Sequence, residues 1–247
     1  MNIVSLAVLA IVVIFAIHGM KKGFISQLAP ILSVILSALL VNYMLPVVTG
    51  MIRENTPVYS YALEWSRDAI EKQTEQFLQQ EGIAAEAAYT GSLTKIQQTG
   101  LIRSLPVPDV VGKLIESYNN SEGYRRLGVS SFVDYLAGCI ASLALNVVSF
   151  LVVMLVTFLI VRAVIGSLKL FSRLPVLGLG DRLGGLIAGA LRGVFIVWIL
   201  MMVISAFSGT QIGASVMDQI DKSFALWPIY QSNVFLKIVT NAVSRII

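Results

Sequence analysis

The chain has 247 residues, of which 56% are hydrophobic and 13% charged, and its mean hydropathy is +0.81. A soluble globular chain is about 45–50% apolar and about 25% charged, so this composition excludes an ordinary water-soluble enzyme and a disordered chain, and makes the bilayer the solvent. The 18 Lys+Arg against 14 Asp+Glu form no dense basic cluster, which argues against a nucleic-acid partner.

Four apolar stretches follow one another along the chain. The first, Ile3 to Met20, carries no charge and has His18 near its end. Nothing basic precedes it, and Lys21 and Lys22 follow it, so it reads as an uncleaved membrane helix rather than a secretory signal peptide. The second, Ile25 to Val48, is interrupted only by Ser, Gln and Asn and by Pro30 and Pro46. Tyr135 to Val161 is again without charge, and Leu183 to Phe207 carries one Arg. Each can cross a hydrocarbon core, which takes about 20 helical residues. None shows the strict alternation of a barrel strand, so the spans are expected to be helices.

The connections orient the spans. Lys21 and Lys22 follow the first helix without an acid, and the stretch from Arg162 to Arg182 carries Arg162, Lys169, Arg173 and Arg182 against Asp181. Both are short enough to be cytoplasmic by the positive-inside rule. The 80 residues from Met51 to Ser130 hold 8 basic and 10 acidic side chains and are expected outside, as are both termini.

Within that outer loop, Thr56-Pro57 predicts a helix start, with Thr56 as N-cap and Pro57 in the first position. The helix is expected to reach about Gln80 and stop at Gly82, with Val58, Tyr61, Trp65 and Ala69 as its apolar face. A second helix is expected after Pro108, ending before Asn119-Asn120. Ser131 and Asp134 have the spacing of a capping box at the start of the third span, which is expected to run to about Phe171, before Pro175. In the tail, Phe235, Ile238, Val239, Ala242, Val243 and Ile246 share one helix face. That face either lies on the outer membrane surface or packs against the outer-loop helices.

The fold class expected is all-α, a polytopic membrane protein with four transmembrane helices, an extracytoplasmic helical loop and an amphipathic C-terminal helix. Its parts are a first hairpin over residues 1–50, the loop over 51–130, a second hairpin over 131–207 and the tail over 208–247.

Few residues carry chemistry. Cys139 and His18 are the only residues of their kinds, which leaves no intramolecular disulfide, no CxxC motif and no His-rich metal site. No cofactor is expected, and the inner connections hold neither paired carboxylates nor a nucleophile–base set, so no catalytic residue is assigned. Gly185, Gly189 and Gly193 recur on one face of the fourth helix, and Gly19 and Gly23 are also four apart. Such faces let helices approach closely in lipid. The contact is either with a second copy or with the chain's own first or third helix.

Arg192 lies nine residues into the fourth span, about 14 Å from Leu183 at 1.5 Å per residue. A charge at that depth is costly and calls for partners or water. It can point back towards Asp181, eleven residues earlier on the same face, with Asn42, Asn146 or backbone carbonyls as bridges. Either Arg192 lines a polar path or it is a structural charge held by interhelix hydrogen bonds. Asp181 itself reads as the N-cap of the fourth helix. His18 reads as an interfacial or interhelix hydrogen-bonding residue, with a proton relay as its other role. Gly178-Leu179-Gly180 lacks the Lys and the strand of a phosphate loop.

Two stretches resemble the colicin V production (CvpA) family of bacterial integral membrane proteins. Gly19-Met20-Lys21-Lys22-Gly23-Phe24-Ile25-Ser26-Gln27-Leu28 is similar to the family's inner turn. Leu174-Pro175-Val176-Leu177-Gly178-Leu179-Gly180-Asp181-Arg182-Leu183-Gly184-Gly185, followed by Gly189-Ala190-Leu191-Arg192-Gly193, is similar to its most characteristic stretch. The resemblance implies a bacterial inner or plasma membrane protein linked to bacteriocin production or export and to the cell envelope, and it supplies no reaction. The partners expected are the lipid bilayer and either a second copy or another membrane protein. A small channel or transporter with Arg192 in its path is the rival expectation.

Overall fold

The computed structural model describes residues 2–167, 178–208 and 210–244. The described residues form helices and turns, with no strand among them. Among the described residues, four helices are long and apolar enough to cross a membrane: α1 (Ile3–Lys22), α2 (Phe24–Asn55), α7 (Phe132–Ser167) and α8 (Gly178–Ala206). Between α2 and α7 come α3 (Val58–Gln80), a 3-10 turn at Ala85–Ala88, α4 (Lys95–Ser104), α5 (Asp109–Ser117) and α6 (Ser121–Leu127). After α8 come α9 (Gln211–Asp221), α10 (Leu226–Gln231) and α11 (Val234–Val243). The protein is therefore an all-α polytopic membrane protein, and large apolar side chains such as Leu6 and Ile14 of α1 and Leu155 and Leu159 of α7 face outward.

The chain folds into two units. The first takes the described residues within Met1–Val47, Phe150–Met202 and Gln219–Phe235. Here α1 packs on α8, and Phe235 meets the rings of Phe150, Phe195 and Trp198 at 5.4, 6.2 and 6.1 Å between centroids. The Trp198 indole donates to the Ile229 carbonyl at 2.8 Å and the Asn233 amide donates to the Trp198 carbonyl at 2.9 Å, which pins α10 to α8. At the start of α1, Asn2 caps the Ser5 amide and donates to the Gln219 carbonyl.

The second unit takes the described residues within Val48–Ser149, Val203–Asp218 and Leu236–Ile247. Its core includes Leu78, Leu101, Ile115, Leu136 and Leu143, all buried. The Tyr135 hydroxyl donates to the Ile115 carbonyl at 2.7 Å, and the Tyr135 ring stacks on Tyr124 at 4.8 Å. Arg67 pairs with Asp134 at 2.5 Å, and Trp65 meets Phe207 edge-on at 5.8 Å.

Several local expectations agree with the structure. α3 ends at Gln80 and Gly82 takes a positive φ of 67° just beyond it. α5 follows Pro108, and the Asp134 amide donates to the Ser131 hydroxyl as the predicted box requires, although that hydroxyl in turn donates to the Asp134 carboxylate, in place of the backbone bond that would close the box.

Others need correction. Thr56 is not the N-cap of α3: α2 runs on to Asn55, and the Thr56 hydroxyl donates back to the Ile52 carbonyl at 2.6 Å. The buried stripe of α3 is Ser66, Ile70, Thr74 and Leu78, while Tyr61 is 67% exposed. Small side chains let a helix approach its neighbours closely, and apolar count alone misplaces that face. α4 and α6 were not anticipated, although Thr94 with Gln97 and Asn120 cap them by familiar rules. In the tail, α9 and α10 precede the amphipathic α11, whose face through Phe235, Val239, Ala242 and Val243 is buried in protein rather than laid on a membrane surface. Ile246, Phe171 and Pro175 lie outside the described residues.

Candidate functional site

The seam between α1 and α8 is built from glycine. A Cβ on Gly189 would strike the Phe15 carbonyl oxygen and come within 3.0 Å of the Gly19 Cα. One on Gly185 would strike the Gly19 carbonyl and lie 2.8 Å from the Gly23 carbonyl carbon, and one on Gly193 would lie 2.9 Å from the Val12 Cα. The partner of this face is thus α1 of the same chain, and all five glycines of the sequence pattern meet there. Two backbones this close exchange dispersion contacts that no larger residue permits.

At the end of the seam, α1 turns directly into α2 through Gly23, whose φ of 81° and ψ of 160° suit glycine alone. The Asp181 side chain sits against this turn, and its carboxylate accepts the Ile25 amide at 3.2 Å. Asp181 was expected to cap its own helix. However, α8 begins at Gly178, so Asp181 lies inside the first turn and caps the start of α2 instead.

Arg192 does not reach Asp181, and among the described residues no ion pair joins them. Its guanidinium stands over the Phe15 ring at 5.5 Å and lines a cavity of about 490 Å³. His18 and Lys22 of α1, Ser26, Gln27 and Pro30 of α2, and Arg162 of α7 complete the lining. Arg192 is half-buried, whereas Lys22 and Arg162 are exposed. All four long helices contribute, and the lining holds three basic side chains and no acid.

The two proposed bridges are engaged elsewhere. Asn146 donates to the Ser142 carbonyl at 2.8 Å and accepts from the Thr49 hydroxyl at 3.3 Å, inside the second unit. Asn42 is exposed on α2, about 22 Å along the helix from Gln27 at 1.5 Å per residue. Sequence reasoning missed Gln27, Lys22 and Arg162 as companions of Arg192. Gln27, the one amide in the first two turns of α2, was the available signal. It is 2% exposed, and its side-chain oxygen has no hydrogen-bond partner. Pro30 adds to the polarity, because it cannot donate to the Ser26 carbonyl four residues earlier in the helix.

Among the described residues, no group of three or more His, Cys, Asp and Glu side chains could hold a metal ion. What the arrangement can do is present several positive donors to one anionic group, or to water, within a largely apolar bundle.

Residues 126–233 match the family model described as Colicin V production protein. That segment contains α7, α8 and the characteristic stretch around Asp181 and Arg192, whereas the similar turn at Gly19–Leu28 lies before it. No curated protein and no solved structure matches the chain.

Proposed function

We propose that this protein is a non-enzymatic membrane component that supports production or export of a colicin V-like toxin and the function of the cell envelope. The match over residues 126–233, on a bundle of four membrane-length helices, is what supports the reading. The basic connections Lys21–Lys22 and Arg162–Arg182 argue for the bacterial inner membrane with both termini outside. A membrane partner, a second copy included, would use the outward apolar faces, since the chain's own α1 occupies the glycine seam.

A second reading, a small oligomeric channel or transporter, is favoured by one observation: Arg192 lines a polar cavity instead of packing dry. Complementation of a deletion strain tests both readings, with toxin release and protein level measured together. Arg192→Leu at normal level with full toxin release excludes the path, because a dry apolar residue then replaces the charge without loss. Loss of release at normal level, partly restored by Arg192→Lys, supports it, since Lys keeps the charge without the planar fork. A deletion strain that releases toxin like its parent overturns the first reading.

A further inference from the structure

We propose that the cavity lined by His18, Lys22, Ser26, Gln27, Arg162 and Arg192 is a binding site for a phosphate group. Three fixed cations converge there without an acid, and among the described residues Arg192 has only the face of Phe15 as partner. Like charges gathered on one cavity repel, and a bound counter-charge relieves that repulsion, most of all for the half-buried Arg192. Gln27 supplies an independent sign. Its side chain is buried, it lines the cavity, and its oxygen lacks a donor. The amide O and N are interchangeable by rotation, so this side chain can either donate to a ligand oxygen or accept from a ligand hydroxyl.

The number of donors selects the ligand chemistry. A carboxylate has one charge and two oxygens, too few for two guanidinium groups, an ammonium and a hydroxyl. A phosphate monoester carries up to about two charges and three terminal oxygens, which match planar guanidinium forks. Ser26 and Gln27 also lie in the first turn of α2, where the helix presents its positive end. A volume of about 490 Å³ leaves room for whatever the phosphate is attached to. Basic pockets between membrane helices take lipid phosphates by the same chemistry, so the phosphate belongs either to a lipid headgroup or to a soluble molecule.

Two arms separate these sources, both on the full chain. In neutral detergent, calorimetric titration with inorganic phosphate is compared with chloride. In nanodiscs of equal parts phosphatidylcholine and phosphatidic acid, whose headgroup is a phosphate monoester, native mass spectrometry records which lipid stays bound. The variant is Lys22→Gln with Arg162→Gln, two exposed positions whose change leaves the core intact. Arg192→Gln is a second variant, and Lys72→Gln with Arg103→Gln removes the same charge elsewhere.

Affinity or lipid retention should fall roughly tenfold or more in the cavity variants and hold in the control. Saturable phosphate binding assigns a soluble ligand, and selective retention of phosphatidic acid assigns a lipid headgroup. Binding of neither, or binding that the cavity variants share with the control, overturns the site. Toxin release plays no part in these measurements, so this site and the proposed function fail separately.

Discussion

The Asp181 carboxylate, placed by the first turn of α8, satisfies an amide at the start of α2. The turn that allows this depends on Gly23. Its φ of 81° and ψ of 160° cost a side-chain-bearing residue on the order of 1–3 kcal/mol, and an added methyl would also overlap the Asp181 carboxylate. Gly23→Ala should therefore lower the thermal midpoint of the purified protein clearly. Gly50→Ala, helical and with open space around its Cβ, should hold or raise it. Equal midpoints would mean that the turn is not held in this form. Tyr124 makes a different residue-scale statement. Burial is the largest cause pushing its hydroxyl from 10.0 up to about 12. A folded value raised above the unfolded one contributes stability that is complete below about pH 10 and lost as pH rises through about 12. Tyr124→Phe should then shift alkaline unfolding, followed by circular dichroism, to higher pH and remove a high-pH step from the tyrosinate absorbance titration. An unchanged curve would count against a buried hydroxyl.

Among the elements, α1 and α8 are the pair that a single substitution can force apart. Gly189→Leu places four carbons where the Phe15 carbonyl and the Gly19 Cα already stand. Overpacking of this kind typically costs about 1–3 kcal/mol or more. Val194→Leu, half-buried on another face, is the control. Folded protein recovered from membranes should fall sharply for Gly189→Leu and little for Val194→Leu, and equal recovery would dissolve the seam. The glycine spacing was legible because a period of four residues marks one helix face. Its partner was not, since α1, α7 and a second copy offer similar apolar surfaces in lipid. The buried stripe of α3 was misplaced for a related reason: Ser66 and Thr74 are buried on geometry, not on hydrophobicity.

For the whole molecule, topology is the open quantity that a simple experiment reads. Cys139 is 2% exposed, so the wild-type protein should resist an impermeant thiol reagent on intact cells. Ser104→Cys and Ser232→Cys, both at exposed positions, should be labelled if the loop and tail are outside, and Ser172→Cys should not. Labelling confined to Ser172→Cys would invert the orientation. The sequence by itself determined the solvent, the helical class, the four spans and the unusual Arg192, because desolvation acts on composition over about 20 residues at a time and needs no knowledge of neighbours. Only the tertiary structure decided that α11 is buried in protein, that Asp181 caps α2 instead of its own helix, and that Arg192 shares a cavity with Lys22 and Arg162. Those outcomes turn on which helix stands beside which, and contacts between residues more than a hundred positions apart leave no periodic trace along the chain.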